Sequence, residues 1–300
     1  MDSSILDDFV RADTERGLGS YGICVERAGE PLVEHRFRSD DRVNLYSASK
    51  TFTSLALGLA EAEGRLSLDD RLLDHFPELR TRAGEGVEET TLRHWLTMTS
   101  GSGHSWFAHQ RITAADLLHE IVATPLQAPP GTRFRYTGSG PYALGRVIAR
   151  ATGADLRAYL KPRLFDPLDL HNPAWHTCPL GYPFAESDLF LKTCELARLG
   201  RLLLQEGEWE GQQIVPAEYI RRMPLEKVDS TPAAEHGAQF GFGYGLGVWL
   251  RPDGTYRADG AYGQYVLVSP ERRGVVTVTA HSERDDELLE AAYDLVLNRL

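Results

Sequence analysis

Ser47 and Lys50 stand three residues apart in the run Tyr46-Ser47-Ala48-Ser49-Lys50-Thr51-Phe52. On a helix, positions i and i+3 share one face with Cβ atoms roughly 5–6 Å apart, so the amine can reach the hydroxyl. A serine hydroxyl is a poor nucleophile until a base takes its proton. A desolvated lysine can lose its own proton and act as that base, whereas an arginine effectively cannot. The chain has only four lysines, Lys50, Lys161, Lys192 and Lys227, and arginine supplies most of its 32 basic residues. A helix start would add exposed backbone N–H groups and positive potential beside the serine, which suit an oxyanion and help keep the amine neutral. The competing reading is an N-cap serine followed by a solvated lysine, and an isolated Ser-x-x-Lys carries little weight.

Two further segments could serve the same chemistry. Tyr136, in Phe134-Arg135-Tyr136-Thr137-Gly138-Ser139-Gly140-Pro141-Tyr142, offers a phenol that could share a proton relay with Lys50. Its plainer reading is a packed loop tyrosine. In Arg257-Ala258-Asp259-Gly260-Ala261-Tyr262-Gly263-Gln264-Tyr265, glycines interrupt a strand pattern, which suggests close approach of another backbone or a ligand. Such an edge could present a backbone N–H to an oxyanion, and its plainer reading is a bulge or turn.

These residues need a frame. Residues 3–16 read as an amphipathic helix with Ile5, Leu6, Phe9 and Val10 on one side. Tyr21–Arg27 and Leu32–Phe37 read as a hairpin around Ala28-Gly29-Glu30-Pro31. Phe52, Leu55, Ala56 and Leu59 share a helical face, which puts Ser47 and Lys50 at that helix's start. Helices are expected at Leu92–Thr99, Ala114–Ala123, Pro141–Ala151, Ala154–Leu160 and Cys194–Gln205. Strands are expected at Phe242–Leu250, Tyr265–Ser269 and Val275–His281, and a closing helix at Glu287–Leu300. Strands at both ends with helices between predict a single α/β (α+β) domain over 1–300. Its α/β lobe comprises about 1–46 and 206–300, its inserted helical lobe about 47–205, and the first and last helices flank one antiparallel sheet. A cleft between the lobes is the expected site.

Composition bounds the partners. The chain has 300 residues, 42% hydrophobic and 25% charged, with a formal charge of -11. That is a globular composition with an acidic balance, which argues against nucleic acid and against an anionic membrane surface. The opening residues are acidic and lack an apolar run, so neither a signal peptide nor an anchor is expected, and a cytoplasmic location is. Cys24, Cys178 and Cys194 have no metal-binding spacing and read as free thiols. No metal or cofactor is expected, because no HExxH cluster and no phosphate-binding glycine loop is present. His104 and His109 flank Trp106 and Phe107, aromatics that read as exposed or substrate-lining, with Trp106 the substrate-binding candidate. Trp175, Tyr182, Phe184 and Phe190 could line an acyl pocket but read better as core.

Together these segments resemble the serine β-lactamase and penicillin-binding-protein superfamily, which has Ser-x-x-Lys among its motifs. The class C β-lactamase-related branch, with its esterases and D-aminopeptidases, is the nearest likeness. YSASKTFTSLALGLAEAEGRLSLDDRLLDHFPEL, TLRHWLTMTSG, PPGTRFRYTGSGPYALGRVI, LFLKTCELARLGRLLLQEGEW and ADGAYGQYVLVSPERRGVVTVTA look like family segments in family order. The resemblance implies a β-lactamase/transpeptidase-like fold and a serine hydrolase acting on a small ester or amide. It implies Ser47 as the acylated nucleophile, Lys50 as its proton partner and Tyr136 as general acid/base. Backbone N–H groups of Ser47 and Ala261 would form the oxyanion hole, and Gly138, Ser139, Asp259 and Gly260 would border the substrate. Two motifs depart from the family pattern. Tyr136-Thr137-Gly138 stands where Tyr-x-Asn is usual, with Ser139 a partial substitute for the amide. Ala258 stands where Lys or His is usual, with Arg257 or another arginine the candidate replacement cation. Both departures weaken a β-lactamase assignment, and they favour the alternative of an inactive family member kept as a binding or regulatory protein.

Overall fold

The structure, a computed structural model, describes residues 1–104 and 115–300. Trp106, Phe107 and His109 lie outside the described residues. From the N-terminus, α1 (Asp7–Arg16) leads into β1 (Ser20–Arg27), which turns back as β2 (Val33–Arg36). A short strand, β3 (Val43–Asn44), precedes the Ser47 turn and α2 (Ser49–Ala62). Then come α3 (Leu72–His75), α4 (Leu92–Leu96), α5 (Leu117–Ala123), α6 (Ser139–Thr152) and α7 (Leu156–Leu160). After β4 (Phe190–Leu191) follow α8 (Thr193–Leu204), the small pair β5 (Glu208–Trp209) and β6 (Gln212–Gln213), and α9 (Ala217–Leu225). The chain ends with β7 (Trp249–Leu250), β8 (Tyr256–Gly260), β9 (Gln264–Ser269), β10 (Gly274–Ala280) and α10 (Asp285–Leu295).

The two ends of the chain build one antiparallel sheet in the order β2-β1-β10-β9-β8-β7. Alternation along β9 and β10 sorts its two faces. Tyr265, Leu267, Val276 and Val278 pack with Phe9, Leu288 and Leu289 of the terminal helices. Val266, Val268 and Val275 join the larger core with Leu196, Leu199 and Leu203 of α8. Covered on both faces, these strands read as unbroken apolar runs rather than alternating ones. Each buried Val or Leu contributes about 1.5–3 kcal/mol, so the sheet is a firm platform for whatever its edge carries.

Three boundaries fall differently from the sequence reading. Helix α8, expected within the helical lobe, lies on the sheet against β10, β9 and β1. The run 242–250 forms strand only at Trp249–Leu250. Gly247 explains part of this. It adopts φ +79°, and a Cβ there would sit 2.8 Å from the Ser54 Cβ, so the backbone leaves the sheet to press on α2. The last helix starts at Asp285 and gives way to a 3-10 turn at Leu297–Arg299. No helix among the described residues is long and apolar enough to cross a membrane.

Candidate active site

Ser47 lies in a strained turn. β3 pairs with β4, and Leu45 N–H donates to Leu189 O at 2.9 Å. Asn44 then organises the turn. Its Oδ1 accepts from Tyr46 N–H at 2.8 Å and from Asp188 N–H at 3.2 Å, and its Nδ2 donates to Asp188 Oδ1 at 2.6 Å. Tyr46 has φ +46°, a left-handed conformation that costs an L-residue roughly 1–2 kcal/mol. The Tyr46 ring packs edge-on to Tyr262, with centroids 5.3 Å apart. Tyr46–Ala48 form a 3-10 turn that runs directly into α2.

The polar residues at the start of α2 face inward. Every residue from Ser49 to Ala60 is buried. Such hydroxyls need partners, and they find loop carbonyls. Thr51 Oγ1 donates to Gly247 O at 2.9 Å, Thr53 Oγ1 to Ala185 O at 2.7 Å, and Ser54 Oγ to Leu246 O at 2.7 Å. The first two turns of α2 thereby tie the 185–189 and 246–247 loops to the helix.

Lys50 is the charged member of this polar face. Its side chain is 4% exposed, and Nζ donates to Ser47 Oγ at 2.8 Å and to Glu186 O at 2.9 Å. Burial pushes the Lys50 pKa down to about 8, although the Glu186 and Asp259 carboxyls nearby pull it up. The same burial raises the Glu186 pKa far above the usual carboxylate range, with Lys50 acting against it. Glu186 Oε1 accepts from Ser187 Oγ at 3.1 Å, while Oε2 is buried with no hydrogen-bond partner. Half-buried Ser47 and Tyr136 complete the group. Lys50 Nζ sits 4.8 Å from the Tyr136 ring centroid. Burial raises the phenol's pKa, and hydrogen bonding to Ser47 and Trp249 works against that rise.

Beside Ser47 opens a cavity of about 250 Å³. Tyr136, Phe240 and Trp249 give it an aromatic wall, and Asp259, Asp285, His236, Ala233 and Ala261 complete the lining. The rings support one another: the Trp249 centroid lies 5.0 Å from Tyr136, 4.7 Å from Phe240 and 4.7 Å from Tyr244. Four larger cavities, of about 870, 480, 320 and 300 Å³, lie elsewhere and contain none of these residues.

The third motif meets the nucleophile turn through Gly260, the last residue of β8. A Cβ at Gly260 would fall deep inside contact distance of Leu45 O and 3.1 Å from Ala48 N. Only glycine lets the strand end lie flush on the turn, with Ala261 following directly into the cavity wall.

Two sequence-based expectations require correction. Ser139 was expected to border substrate, but it is fully buried in the first turn of α6. Its hydroxyl donates to His104 O at 3.1 Å and lies 2.8 Å from His104 Nδ1, so it holds the 102–104 segment. Gly138 is buried at the N-cap of the same helix. Arg257 was a candidate for the missing cation, yet its side chain is 1% exposed. Its Nε bonds Asp259 Oδ2 at 2.7 Å, behind the cavity wall rather than in it. Trp175, as expected, is core, with Nε1 donating to Ser187 O at 2.8 Å.

A sequence profile of the Beta-lactamase family matches residues 6–299. The chain belongs to the β-lactamase family. Among curated relatives, a lovastatin esterase of Penicillium rubens is 30% identical over 181 residues, covering 52% of this chain and 44% of that protein. A β-lactamase of Escherichia coli is 30% identical over 135 residues, covering 45% of this chain and 35% of that protein. The chain therefore spans less than half the length of either relative. An octameric penicillin-binding protein homologue from Pyrococcus abyssi superposes with a TM-score of 0.77 at 23% identity, covering 100% of this chain and 78% of that one. The fold is β-lactamase/transpeptidase-like, in a family of hydrolases with esterase relatives.

Within this β-lactamase-family framework, sequence reasoning missed Glu186, Trp249 and Phe240. Glu186 lies in the irregular stretch Phe184-Ala185-Glu186-Ser187-Asp188, to whose acidic residues the sequence analysis assigned no role. Its one signal was a carboxylate between two apolar runs. Among the described residues no group of three or more His, Cys, Asp and Glu is arranged to hold a metal ion.

Proposed function

We propose that this chain hydrolyses small esters or amides through an acyl-enzyme on Ser47. The observation that carries the proposal is the buried Lys50 amine 2.8 Å from Ser47 Oγ. Burial there favours the uncharged amine, which is the form able to act as a base. A neutral amine can take the Ser47 proton as Oγ attacks the substrate carbonyl carbon. The tetrahedral oxyanion would then be held by the N–H groups of Ser47 and Ala261, which need no reorganisation to meet it. Protonated Lys50, relaying through the Tyr136 phenol, would return the proton to the leaving group. Water activated by the same pair would release the acyl group and restore Ser47.

The altered motifs narrow the substrate. Ala258 and the inward-turned Arg257 supply no cation to the cavity, and no Lys or Arg stands among its described lining residues to anchor a β-lactam carboxylate. Esters and amides without that carboxylate are the better fit. The same departures favour a second reading, a binding protein on this fold that no longer turns over substrate. Fluorophosphonate labelling followed by mass spectrometry separates the two. An adduct on Ser47 that disappears in Ser47→Ala supports the hydrolase. A folded protein with no adduct across a range of pH supports the binding protein.

A further inference from the structure

The cavity beside Ser47 has a chemical character of its own. Its acidic and imidazole lining consists of Asp259, Asp285 and His236. Asp259 is neutralised by Arg257, so that pair adds little net field. His236 is 73% exposed and lies 3.5 Å from Glu235. Asp285 is different: it opens α10, is half-buried, and forms no salt bridge among the described residues. Its Oδ1 accepts from the Asp286 N–H at 3.1 Å, which leaves its second oxygen for a ligand. The neighbouring Asp286 carboxylate is taken up by Gln239 Nε2, a contact that fastens the Phe240 turn to the start of α10.

The apolar lining has a matching preference. Phe240, Trp249 and Tyr136 present an aromatic wall in the same small cavity as Asp285. Aromatic faces are negative at their centres and attract cations, most strongly in desolvated sites. Two of these rings already have a basic side chain within cation–π distance. Arg257 Cζ lies 5.3 Å from the Phe240 centroid, and Lys50 Nζ lies 4.8 Å from that of Tyr136.

We infer that the cavity selects substrates whose acyl group carries a positive charge, an ammonium seated between the Trp249–Phe240 wall and the Asp285 carboxylate. This rests on the hydrolase reading of Ser47 and adds the substrate class. It runs opposite to a site built for a substrate carboxylate. An anion in this cavity would face Asp285 with no Lys or Arg side chain among the described lining residues to pair with. A neutral acyl group would fill the aromatic wall and leave Asp285 unpaired.

Matched probes test the inference. Three para-nitrophenyl esters share one chain length: γ-trimethylammoniobutyrate, its neutral carbon isostere ending in a tert-butyl group, and the monoester of glutarate. Fluorophosphonates with the same three tails report Ser47 adduct formation independently of turnover. The expected order is cationic, then neutral, then anionic. The cationic probe should exceed the neutral one by about tenfold, the scale of a desolvated cation–π contact. Asp285→Asn should shrink that ratio several-fold. If Ser47 reacts with the neutral or anionic probe as fast as with the cationic one, the charge inference falls and the hydrolase reading stands. The inference also falls if the ratio is unchanged in Asp285→Asn. If none of the probes labels Ser47, the hydrolase reading falls and takes the inference with it.

Discussion

The main-chain carbonyl of Glu186 accepts a hydrogen bond from Lys50 Nζ at 2.9 Å, while the carboxyl of the same residue lies buried within electrostatic reach of that amine. One residue thus positions the proposed base and also sets how tightly it holds its proton. Burial lowers the Lys50 pKa, and the Glu186 charge opposes that lowering. Glu186→Gln keeps the carbonyl and removes the charge, so the amine should lose its proton more readily. Because the reactive form is the neutral amine, activity should rise with pH through the Lys50 pKa, near 8 in the parent. In Glu186→Gln that ascending limb should move to lower pH by about one unit. The pH profile of kcat/KM, or of the Ser47 labelling rate, measures it. An unmoved limb, or one moved to higher pH, would show that the carboxyl does not control Lys50.

Gly260 and Leu45 make a second, steric relationship. The end of β8 lies flush on the nucleophile turn only because position 260 has no Cβ. Gly260→Ala should push the strand from the turn and spoil the alignment of Ala261 with Ser47. Overpacking of this kind costs about 1–3 kcal/mol of stability. The larger effect should be on kcat, a loss of roughly 100-fold, comparable to removing one oxyanion donor. A change in KM with kcat preserved would indicate that the strand end serves only substrate binding.

Ser139→Ala addresses a residue whose role the sequence misassigned. Its hydroxyl is spent on His104 rather than on the cavity. The substitution should cost about 1–2 kcal/mol through the lost bonds and the unsatisfied His104 partner. KM for a small ester should stay within about twofold, well under the 1.4 kcal/mol that a tenfold change represents. Urea unfolding and steady-state kinetics on the same preparation separate the two effects.

The pattern of what could be read in advance follows from which forces are local. Apolar runs such as Val275–His281 and the Phe52, Leu55, Ala56, Leu59 face announced their elements, because strand and helix periodicity are properties of neighbouring residues. The Ser47–Lys50 pair was legible for the same reason, being one helical turn long. Glu186 and Trp249 approach that pair across more than a hundred residues of chain, and their own neighbourhoods do not reveal that approach. The sequence reading also offered Arg257, or another arginine, as the replacement cation. It sits two residues from Asp259 on one strand, and side chains at i and i+2 share a face. That spacing contained the ion pair, but not the fact that the shared face is buried.

The Arg257–Asp259 pair leads to the last prediction. Nε bonds Oδ2 at 2.7 Å, with the guanidinium 1% and the carboxylate 10% exposed. Burial raises the Asp259 pKa, and Arg257 opposes that rise. Among the described residues, Asp259→Ala would leave the guanidinium with one long hydrogen bond, Nη2 to Gln239 O at 3.5 Å, and the Phe240 ring beside it. Stranding a buried charge costs about 3–5 kcal/mol. Replacing both residues together, Arg257→Leu with Asp259→Ala, removes both charges and their desolvation penalty, so the double variant should be more stable than Asp259→Ala alone. Denaturant unfolding of the parent, the two single variants and the double variant forms a complete cycle. The expected coupling is several kcal/mol. A value under about 1 kcal/mol, typical of exposed pairs, would mean that water reaches the guanidinium and that its charge is open to the cavity.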